Sequence, residues 1–95
     1  MQKENKDFYD NLKNLLDNTS NWPSEYIYKF IYSSNPLNIT TIKKIFKSTN
    51  AEFVIKKSKN EKYTSVSVKV TAKNPDFVIE NYKKVANQIE NIILL

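Results

Sequence analysis

The 95-residue sequence contains no cysteine, no histidine and no glycine, and these absences remove several classes of function. Without Cys or His, the chain has no thiolate nucleophile, no imidazole base and no usual ligand set for zinc or other transition metals. Without Gly, it lacks the phosphate-binding loops of the Walker and dinucleotide types, whose backbone approaches the phosphates at residues without a side chain. We therefore expect no metal site, no cofactor and no nucleotide site of these types.

Arginine is also absent, so all 15 basic residues are lysines, set against 10 acidic residues for a net charge of +5. Arg supplies the rigid bidentate donor that proteins favour for phosphate and guanine, whereas Lys acts as a mobile point charge. The abundance of Lys, Asn, Ile and Tyr is also what an AT-rich genome produces without selection for function. The basic balance alone therefore does not indicate nucleic-acid binding.

Long apolar runs are missing as well. The longest, IILL at positions 92–95, is far too short to span a bilayer, and the QKENKD that follows Met1 has no apolar stretch resembling a secretory signal. An apolar share of 40% is nevertheless too high for a disordered tail. We expect one small cytoplasmic domain with a single core and no membrane association.

The carboxylates are scattered along the chain rather than paired. Asp7 and Asp10 lie at a predicted helix start, and Glu80 and Glu90 lie on a solvated helix side, so no pair has an active-site spacing. A single lysine with a lowered pKa is the one catalytic alternative that the sequence leaves open. We expect that the protein is not an enzyme.

Apolar periodicity predicts an N-terminal helix and then a strand. Residues 1–20 carry apolar side chains at helical spacing, at Phe8, Leu12, Leu15 and Leu16, before TSNWPS breaks the pattern. EYIYKFIYS at 25–33 alternates four aromatics with Ile27, Lys29 and Ile31, which is typical of a strand. We expect the aromatic side, which lacks Lys29, to face the core.

A second helix and a hairpin follow. Asn38 is the predicted N-cap of a helix that ends near Thr49, with Asn50 in the left-handed conformation that Gly usually takes. AEFVIKK at 51–57 and YTSVSVKVTA at 63–72 read as two strands joined by a turn centred on Asn60. The second of these strands should direct its valines at 66, 68 and 70 toward the core.

The last segment predicts a helix and a short strand. NPDFVIENYKKVANQI opens with Asn74 as the cap and Pro75 at the first helical position, and IILL forms the strand, entered at Asn91. The resulting order predicts an α+β protein with a ferredoxin-like β-α-β-β-α-β sandwich over residues 21–95, preceded by a helical extension over residues 1–20. That sandwich has four antiparallel strands with two helices on one face.

Three stretches resemble a known family. WPSEYIYKFI, the SK-containing turn with YTSVSV, and VIENYKKV with IENIILL are similar to the YbeD-like family of small bacterial proteins of unknown function, often labelled as lipoate regulators. The resemblance covers about residues 8–95, and the matching positions are Trp22, Pro23, Lys29, Phe30, Ser58, Lys59, Tyr63, Ser65, Val66 and Ser67. It implies a ferredoxin-like fold similar to ACT-type regulatory domains that bind small ligands, and it assigns no catalytic residue. The chain departs from the family at Asn60, Glu61 and Asn91, where members usually have Gly.

A polar surface follows from the predicted strands. The candidate ligand-binding residues are Lys29, Lys56, Ser58, Lys59, Tyr63, Ser65, Ser67 and Lys69, which would suit a small anionic ligand or a peptide carboxylate. The plainer interpretation is a half-solvated sheet face, or one that is buried by the N-terminal helix or by a second copy of the chain. The lysine-rich stretch at 56–62 fits a solvated turn better than a phosphate grip, because Lys56 and Lys57 project to opposite faces.

Two functions from different classes remain. We expect a non-catalytic regulatory module that binds a protein partner or a small anionic ligand, with a homodimer as an alternative in which Trp22, Ile27 and Ile31 help to cover the sheet. The rival is a single-stranded RNA-binding module, although the third strand lacks the glycines and paired aromatics of that signature. Exposed aromatics on the first strand would favour RNA.

Overall fold

A computed structural model of the chain describes residues 6–19 and 21–94. Its elements are α1 (Lys6–Thr19), β1 (Ser24–Ser33), α2 (Pro36–Ile45), β2 (Glu52–Lys57), β3 (Tyr63–Ala72), α3 (Pro75–Gln88) and β4 (Ile93–Leu94). The first five residues and the last residue of the predicted 1–20 extension, and Leu95 of the predicted last strand, lie outside the described residues. Within the described ranges, no helix is long and apolar enough to cross a membrane.

The four strands form one antiparallel sheet in the order β2-β3-β1-β4. β1 and β3 pair along their full length, from Ser24 opposite Ala72 to Ser33 opposite Tyr63, whereas β4 pairs with β1 only at Phe30 and Ile31. The α+β class is therefore confirmed, and the architecture is consistent with the predicted ferredoxin-like sandwich.

The core lies on one side of this sheet. Tyr28 and Phe30 of β1, and Val66 and Val68 of β3, have no exposed surface, and the helices cover this side. Successive strand residues point to opposite faces, so the burial of these positions directs the residues between them away from the core. The predicted core faces of β1 and β3 are confirmed.

Aromatic rings join the sheet to α3. The Tyr28 ring lies 4.8 Å from that of Tyr82 and 5.0 Å from that of Phe46, in edge-to-face arrangements that favour aromatic pairs. The Tyr28 hydroxyl donates to the Val78 carbonyl at 3.2 Å, and the Tyr26 and Tyr82 hydroxyls are 2.8 Å apart. Burial raises the pKa of both Tyr28 and Tyr82, so these phenols stay neutral and keep their hydrogen bonds.

α3 follows its predicted boundaries closely. The Asn74 side chain accepts a hydrogen bond from the Phe77 N–H at 2.8 Å, and Pro75 occupies the first helical position, where its missing N–H is not needed. Val78, Val85 and Ile89 are buried together with Tyr82, as the spacing predicts.

The contact face of α1 agrees with the prediction at Leu12 and Leu16 and differs from it at Tyr9 and Leu15. The structure buries Tyr9 and Leu16 and half-buries Leu12, whereas Phe8 is 39% exposed and Leu15 is 59% exposed. Tyr9, Leu12 and Leu16 are spaced three and four residues apart, so they also form one helical face. The prediction ranked residues by apolarity alone and overlooked Tyr9, whose ring can be buried while its hydroxyl remains near the surface.

α1 packs on α3 rather than on the other face of the sheet. The Lys83 ammonium lies 5.3 Å from the centre of the Tyr9 ring, and Lys13 forms an exposed ion pair with Asp76 at 3.2 Å. The Trp22 indole N–H donates to the Leu16 carbonyl at 3.2 Å and ties the end of the helix to the entry of β1. α1 therefore extends the helical layer.

α2 begins earlier and ends earlier than predicted. Asn35, not Asn38, is its N-cap, and the Asn35 side chain accepts from the Leu37 N–H at 2.9 Å. Pro36 explains the shift, because its fixed φ and missing N–H suit the first helical position. The helix ends at Ile45 and not near Thr49, and turn residues lead from it to Asn50.

Among residues 6–19 and 21–94, three carry the positive φ angles that glycine would usually take. They are Asn50 at 57°, Glu61 at 59° and Asn91 at 57°, so the left-handed conformation predicted for Asn50 is confirmed. In the β2–β3 turn the left-handed residue is Glu61 rather than Asn60, whose side-chain oxygen instead accepts from the Lys62 N–H at 3.1 Å. At these three positions, residues with a Cβ therefore take a conformation that favours glycine.

Replacing Glu61 with Gly should stabilise the protein. The left-handed conformation costs a residue with a Cβ about 1–2 kcal/mol, and the greater unfolded-state entropy of Gly offsets about 0.5–1 kcal/mol of the gain. We expect the free energy of unfolding to rise by about 0.5 kcal/mol, measured by urea denaturation.

Asn60→Gly is the matched control at the neighbouring position. It removes the side-chain oxygen that accepts from the Lys62 N–H and from the Ser58 hydroxyl, so it should lower the free energy of unfolding by about 1 kcal/mol. A Glu61→Gly variant less stable than the unmodified protein would contradict the left-handed assignment.

Candidate functional site

The side of the sheet opposite the helices forms the candidate site, here termed the open face. Strand alternation and register place on it Glu25, Ile27, Lys29 and Ile31 of β1, Glu52, Val54 and Lys56 of β2, Tyr63, Ser65, Ser67, Lys69 and Thr71 of β3, and Ile93 of β4. Each is exposed or half-buried. No helix covers this face among the described residues, so the predicted alternative in which the N-terminal helix buries it is wrong.

Cross-strand pairing arranges the centre of the open face in rows. In one row, Lys29 lies opposite Ser67, which lies opposite Val54. Directly opposed residues in an antiparallel pair bring their Cβ atoms to about 4.5–5.5 Å. Lysine, hydroxyl and aliphatic side chains are thus direct neighbours.

The next row has the same three kinds of side chain. Ile31 lies opposite Ser65, which lies opposite Lys56, and Ile93 of β4 extends the row beyond Ile31. Lysine therefore stands on β1 in the first row and on β2 in the second. The two positive charges lie on either side of the serines at the centre of the face.

Six of the eight candidate residues lie on the open face, namely Lys29, Lys56, Tyr63, Ser65, Ser67 and Lys69. Ser58 and Lys59 do not, because they belong to the turn between β2 and β3. The Ser58 hydroxyl accepts from the Tyr63 N–H at 3.0 Å and donates to Asn60 Oδ1 at 3.0 Å, so it serves the turn. The role of the other six in binding stays a prediction.

The charges on the open face are unevenly balanced. Lys69 lies 3.5 Å from the Glu25 carboxylate in a solvent-exposed ion pair, a type worth at most about 1 kcal/mol. Within the described part of the chain, Lys29 and Lys56 form no ion pair. The two unneutralised positive charges therefore lie at the centre of the face and not at its Glu25 end.

Exposed aliphatic side chains also lie on the open face. Ile27 is 56% exposed, Val54 is 55% exposed and Ile93 is 51% exposed. Burying such side chains against a partner would contribute about 25 cal/mol for each Å² of apolar surface removed from water. Ile93 was not among the sequence candidates, because its place depends on the register of β4, which periodicity does not give.

The open face lacks the stacking platform that single-stranded RNA would need. Tyr28, Phe30 and Tyr32 of β1 are buried under the helices and Tyr26 is half-buried, which leaves Tyr63 as the one aromatic on the face as described. RNA-recognition modules stack bases on aromatics of the two central strands. Exposed aromatics on β1 would have favoured RNA binding, and the structure does not expose them on this face.

Comparison with known proteins identifies a family. A family model described as protein of unknown function (DUF493) matches residues 17–94. The chain has no significant match among curated proteins or among solved structures. The match spans every strand of the sheet, both of its faces and the last residues of α1.

The assignment of the two sheet faces predicts opposite effects on stability for substitutions at two adjacent residues of β1. Lys29→Ala should change the free energy of unfolding by less than about 0.5 kcal/mol, because the side chain is exposed. Phe30→Ala should lower it by about 3–5 kcal/mol, because the ring is fully buried. Chemical denaturation of both variants measures the difference, and comparable losses would mean that the assignment of the two faces is wrong.

Proposed function

The chain belongs to the DUF493 family, the YbeD-like proteins of unknown function, and we propose that it is a non-catalytic binding module. Its open face binds an acidic, partly apolar segment of a partner protein. The observation that carries this proposal lies at the centre of the face. Lys29 and Lys56 have no carboxylate partner among the described residues, and exposed aliphatic side chains lie beside them.

Charge complementarity supports an acidic partner. Lys29 and Lys56 each lie next to a serine on β3, so a carboxylate that reaches either lysine also meets a hydroxyl donor. Charges arranged in this way mainly set specificity and the rate of association. Val54 and Ile31 supply the apolar contact in the same rows, and their burial would provide the affinity.

The fold supports a binding role as well. The strand order β2-β3-β1-β4, with α2 connecting β1 to β2 and α3 connecting β3 to β4, is the order expected of a ferredoxin-like sandwich. Such a sandwich keeps one sheet face free, and ACT-type regulatory domains share this architecture. The fold alone does not specify a function, so the argument rests on the side chains of the face.

A homodimer through the open face is less favourable than an acidic partner. A face-to-face dimer would bury Lys29 and Lys56 of both copies in one interface, and like charges collected in an interface cost free energy. RNA is less favourable because the β1 aromatics point into the core. We place the protein in the cytoplasm, where acidic partner proteins are available.

Site-specific photo-crosslinking in cells tests the proposal. A photoreactive phenylalanine analogue at Val54 on the open face should form a covalent adduct with a protein of defined mass. The same analogue at Lys84, an exposed position on α3, is the control and should not form that adduct. Combined Lys29→Glu and Lys56→Glu substitutions should reduce the Val54 adduct about ten-fold, which corresponds to about 1.4 kcal/mol.

Three results would contradict the proposal, and each points to a different alternative. A nuclease-sensitive adduct at Val54 would identify RNA as the partner. An adduct of twice the mass of the chain would identify a homodimer. Identical adducts from Val54 and Lys84 would mean that the open face is not a specific surface.

A further inference from the structure

β2 forms one edge of the sheet, and among the described residues its outer side has no neighbouring strand. The strand pairs with β3 along all of its length, from Glu52 to Lys57. The opposite edge strand, β4, is only two residues long. Very short edge strands protect a sheet from unwanted pairing, and β2 lacks that protection.

The hydrogen bonds to β3 show which backbone groups of β2 face outward. The Ser58 N–H donates to the Tyr63 carbonyl at 2.8 Å, and this pair continues the register of the two strands. Bonded and non-bonded pairs alternate along an antiparallel ladder, so the N–H and C=O groups of Phe53, Ile55 and Lys57 point away from β3. Within the described part of the chain, these groups have no backbone partner. The edge therefore offers both donors and acceptors to an extended chain.

The side chains of β2 are exposed on both sides of the sheet. Val54 on the open face is 55% exposed, and Ile55 on the helical side is 43% exposed although it lies opposite the buried Val66. A half-open cavity of about 400 Å³ lies beside Ile55, and its lining includes Ile39 of α2 and Tyr32 of β1. The helical layer therefore leaves room for the apolar side chains of a neighbouring strand.

The net charge of the protein is concentrated on this side of the molecule. Residues 36–62, which form α2, β2 and the turn after it, contain seven lysines and two glutamates, a net charge of +5. The rest of the chain contains eight lysines and eight acidic residues, so it has no net charge. α2 lies along β2, since the Lys43 ammonium is 5.8 Å from the centre of the Phe53 ring. None of these seven lysines forms an ion pair with a described residue.

This charge selects the kind of strand that fits the edge. A second copy of the chain would bring two regions of charge +5 together, so pairing between identical β2 edges is opposed. Lysines on an edge strand discourage such pairing in general. The same lysines attract an acidic strand and increase its rate of association.

We propose that an acidic, extended segment of a partner protein adds to the outer edge of β2 as an antiparallel fifth strand. Its backbone bonds to Phe53, Ile55 and Lys57, as in peptides that extend an exposed sheet edge. Apolar side chains of the segment lie next to Ile55 on the helical side, and the alternate, acidic side chains lie next to Lys56. The edge adjoins the open face but consists of backbone groups, so this proposal goes beyond the proposed function and can fail without it.

A seven-residue peptide of alternating glutamate and valine, with glutamate at both ends and both termini blocked, tests the proposal by NMR of the isotope-labelled protein. Saturable shifts are expected at the amides of Phe53, Ile55 and Lys57. Hydrogen exchange of these three amides should also become slower, because strand addition gives them acceptors. The same peptide with glutamine in place of glutamate should bind about ten-fold more weakly, because its attraction to the lysines is lost.

Backbone N-methylation of the peptide separates strand addition from charge attraction. In the proposed pairing the three valines lie opposite Phe53, Ile55 and Lys57 and direct their N–H groups to β2, whereas the N–H groups of the glutamates point away. Methylation of the valine nitrogens should weaken binding at least about ten-fold. Methylation of the glutamate nitrogens keeps the same charge, and as the matched control it should weaken binding by less than about three-fold.

Ile55→Pro is the corresponding variant of the protein. The N–H that it removes faces away from β3, a position at which edge strands tolerate proline, so the fold should be kept and peptide binding should be lost. Ile55→Val keeps the N–H and an aliphatic side chain, and this control should bind the peptide as the unmodified protein does. If Ile55→Pro does not fold, Lys57→Pro at the end of the strand replaces it, with Lys57→Gln as its control.

The proposal is overturned if the glutamate–valine peptide gives no saturable shifts at the three amides up to about 20 mM, since a specific site should bind in the millimolar range or better. It is also overturned if the valine-methylated peptide binds as tightly as the unmodified peptide. Shifts confined to Lys29 and Ser67 would place the peptide on the open face, which would overturn strand addition and leave the proposed function standing. Protection of the three amides that rises with protein concentration alone would identify a second copy as the added strand, and would likewise overturn it.

Discussion

The sealing of one side of the sheet by aromatic packing is the constraint on which this structure depends. The Tyr28 ring lies 4.8 Å from that of Tyr82, so that the centre of β1 is fixed beneath α3. Both phenols are buried, and each hydroxyl has a hydrogen-bond partner, through the Val78 carbonyl and the Tyr26 hydroxyl. Once this side is closed, the two-residue period of a strand directs Lys29 outward.

Both candidate sites follow from where the helical layer ends. The helices cover the central strands β1 and β3, and no helix within the described residues lies against the opposite face, which leaves the lysine and aliphatic rows in contact with solvent. The same layer stops short of β2 on the helical side and leaves a cavity beside Ile55. A small domain with one core has too few elements to cover every side of its sheet. The two surfaces therefore differ in shape, because one is a broad sheet face and the other is a half-open cavity beside Ile55.

Much of this arrangement could be predicted from residue patterns. The bounds of β3, the Asn74 cap with Pro75, and the inward aromatics of β1 all have local signals in the sequence. The burial of Tyr9 could not be predicted in this way, because Phe8 and Tyr9 both fit a helical stripe. Docking against α3 buries Tyr9, whereas Phe8 lies 6.4 Å from the Tyr82 ring of α3 and stays partly exposed. The start of α2 had a signal in Pro36 that was outweighed by the apolar spacing further along.

The candidate site was predictable only in part, because some of its features depend on contacts between segments that are distant in the sequence. Alternation placed Lys29, Ser65 and Ser67 on one face, because that property belongs to a single strand. The position of Ile93 depends on pairing between distant segments, and the cavity at Tyr32 depends on how far α2 lies from β2. Such features arise from tertiary packing and leave no periodic pattern.

The most direct test of the sealed aromatic side is an alkaline titration of the six tyrosines, followed by the absorbance of tyrosinate together with circular dichroism. Burial raises the pKa of Tyr28, Tyr32 and Tyr82 in the folded protein, whereas in the unfolded chain each would titrate near 10.

The folded state therefore holds these protons longer than the unfolded state, and stability falls as the pH rises above 10, by up to about 1.4 kcal/mol per pH unit for each buried phenol. The account predicts that these three tyrosines ionise only in a cooperative step that coincides with unfolding. Ionisation of all six tyrosines near pH 10 with the circular dichroism unchanged would contradict it.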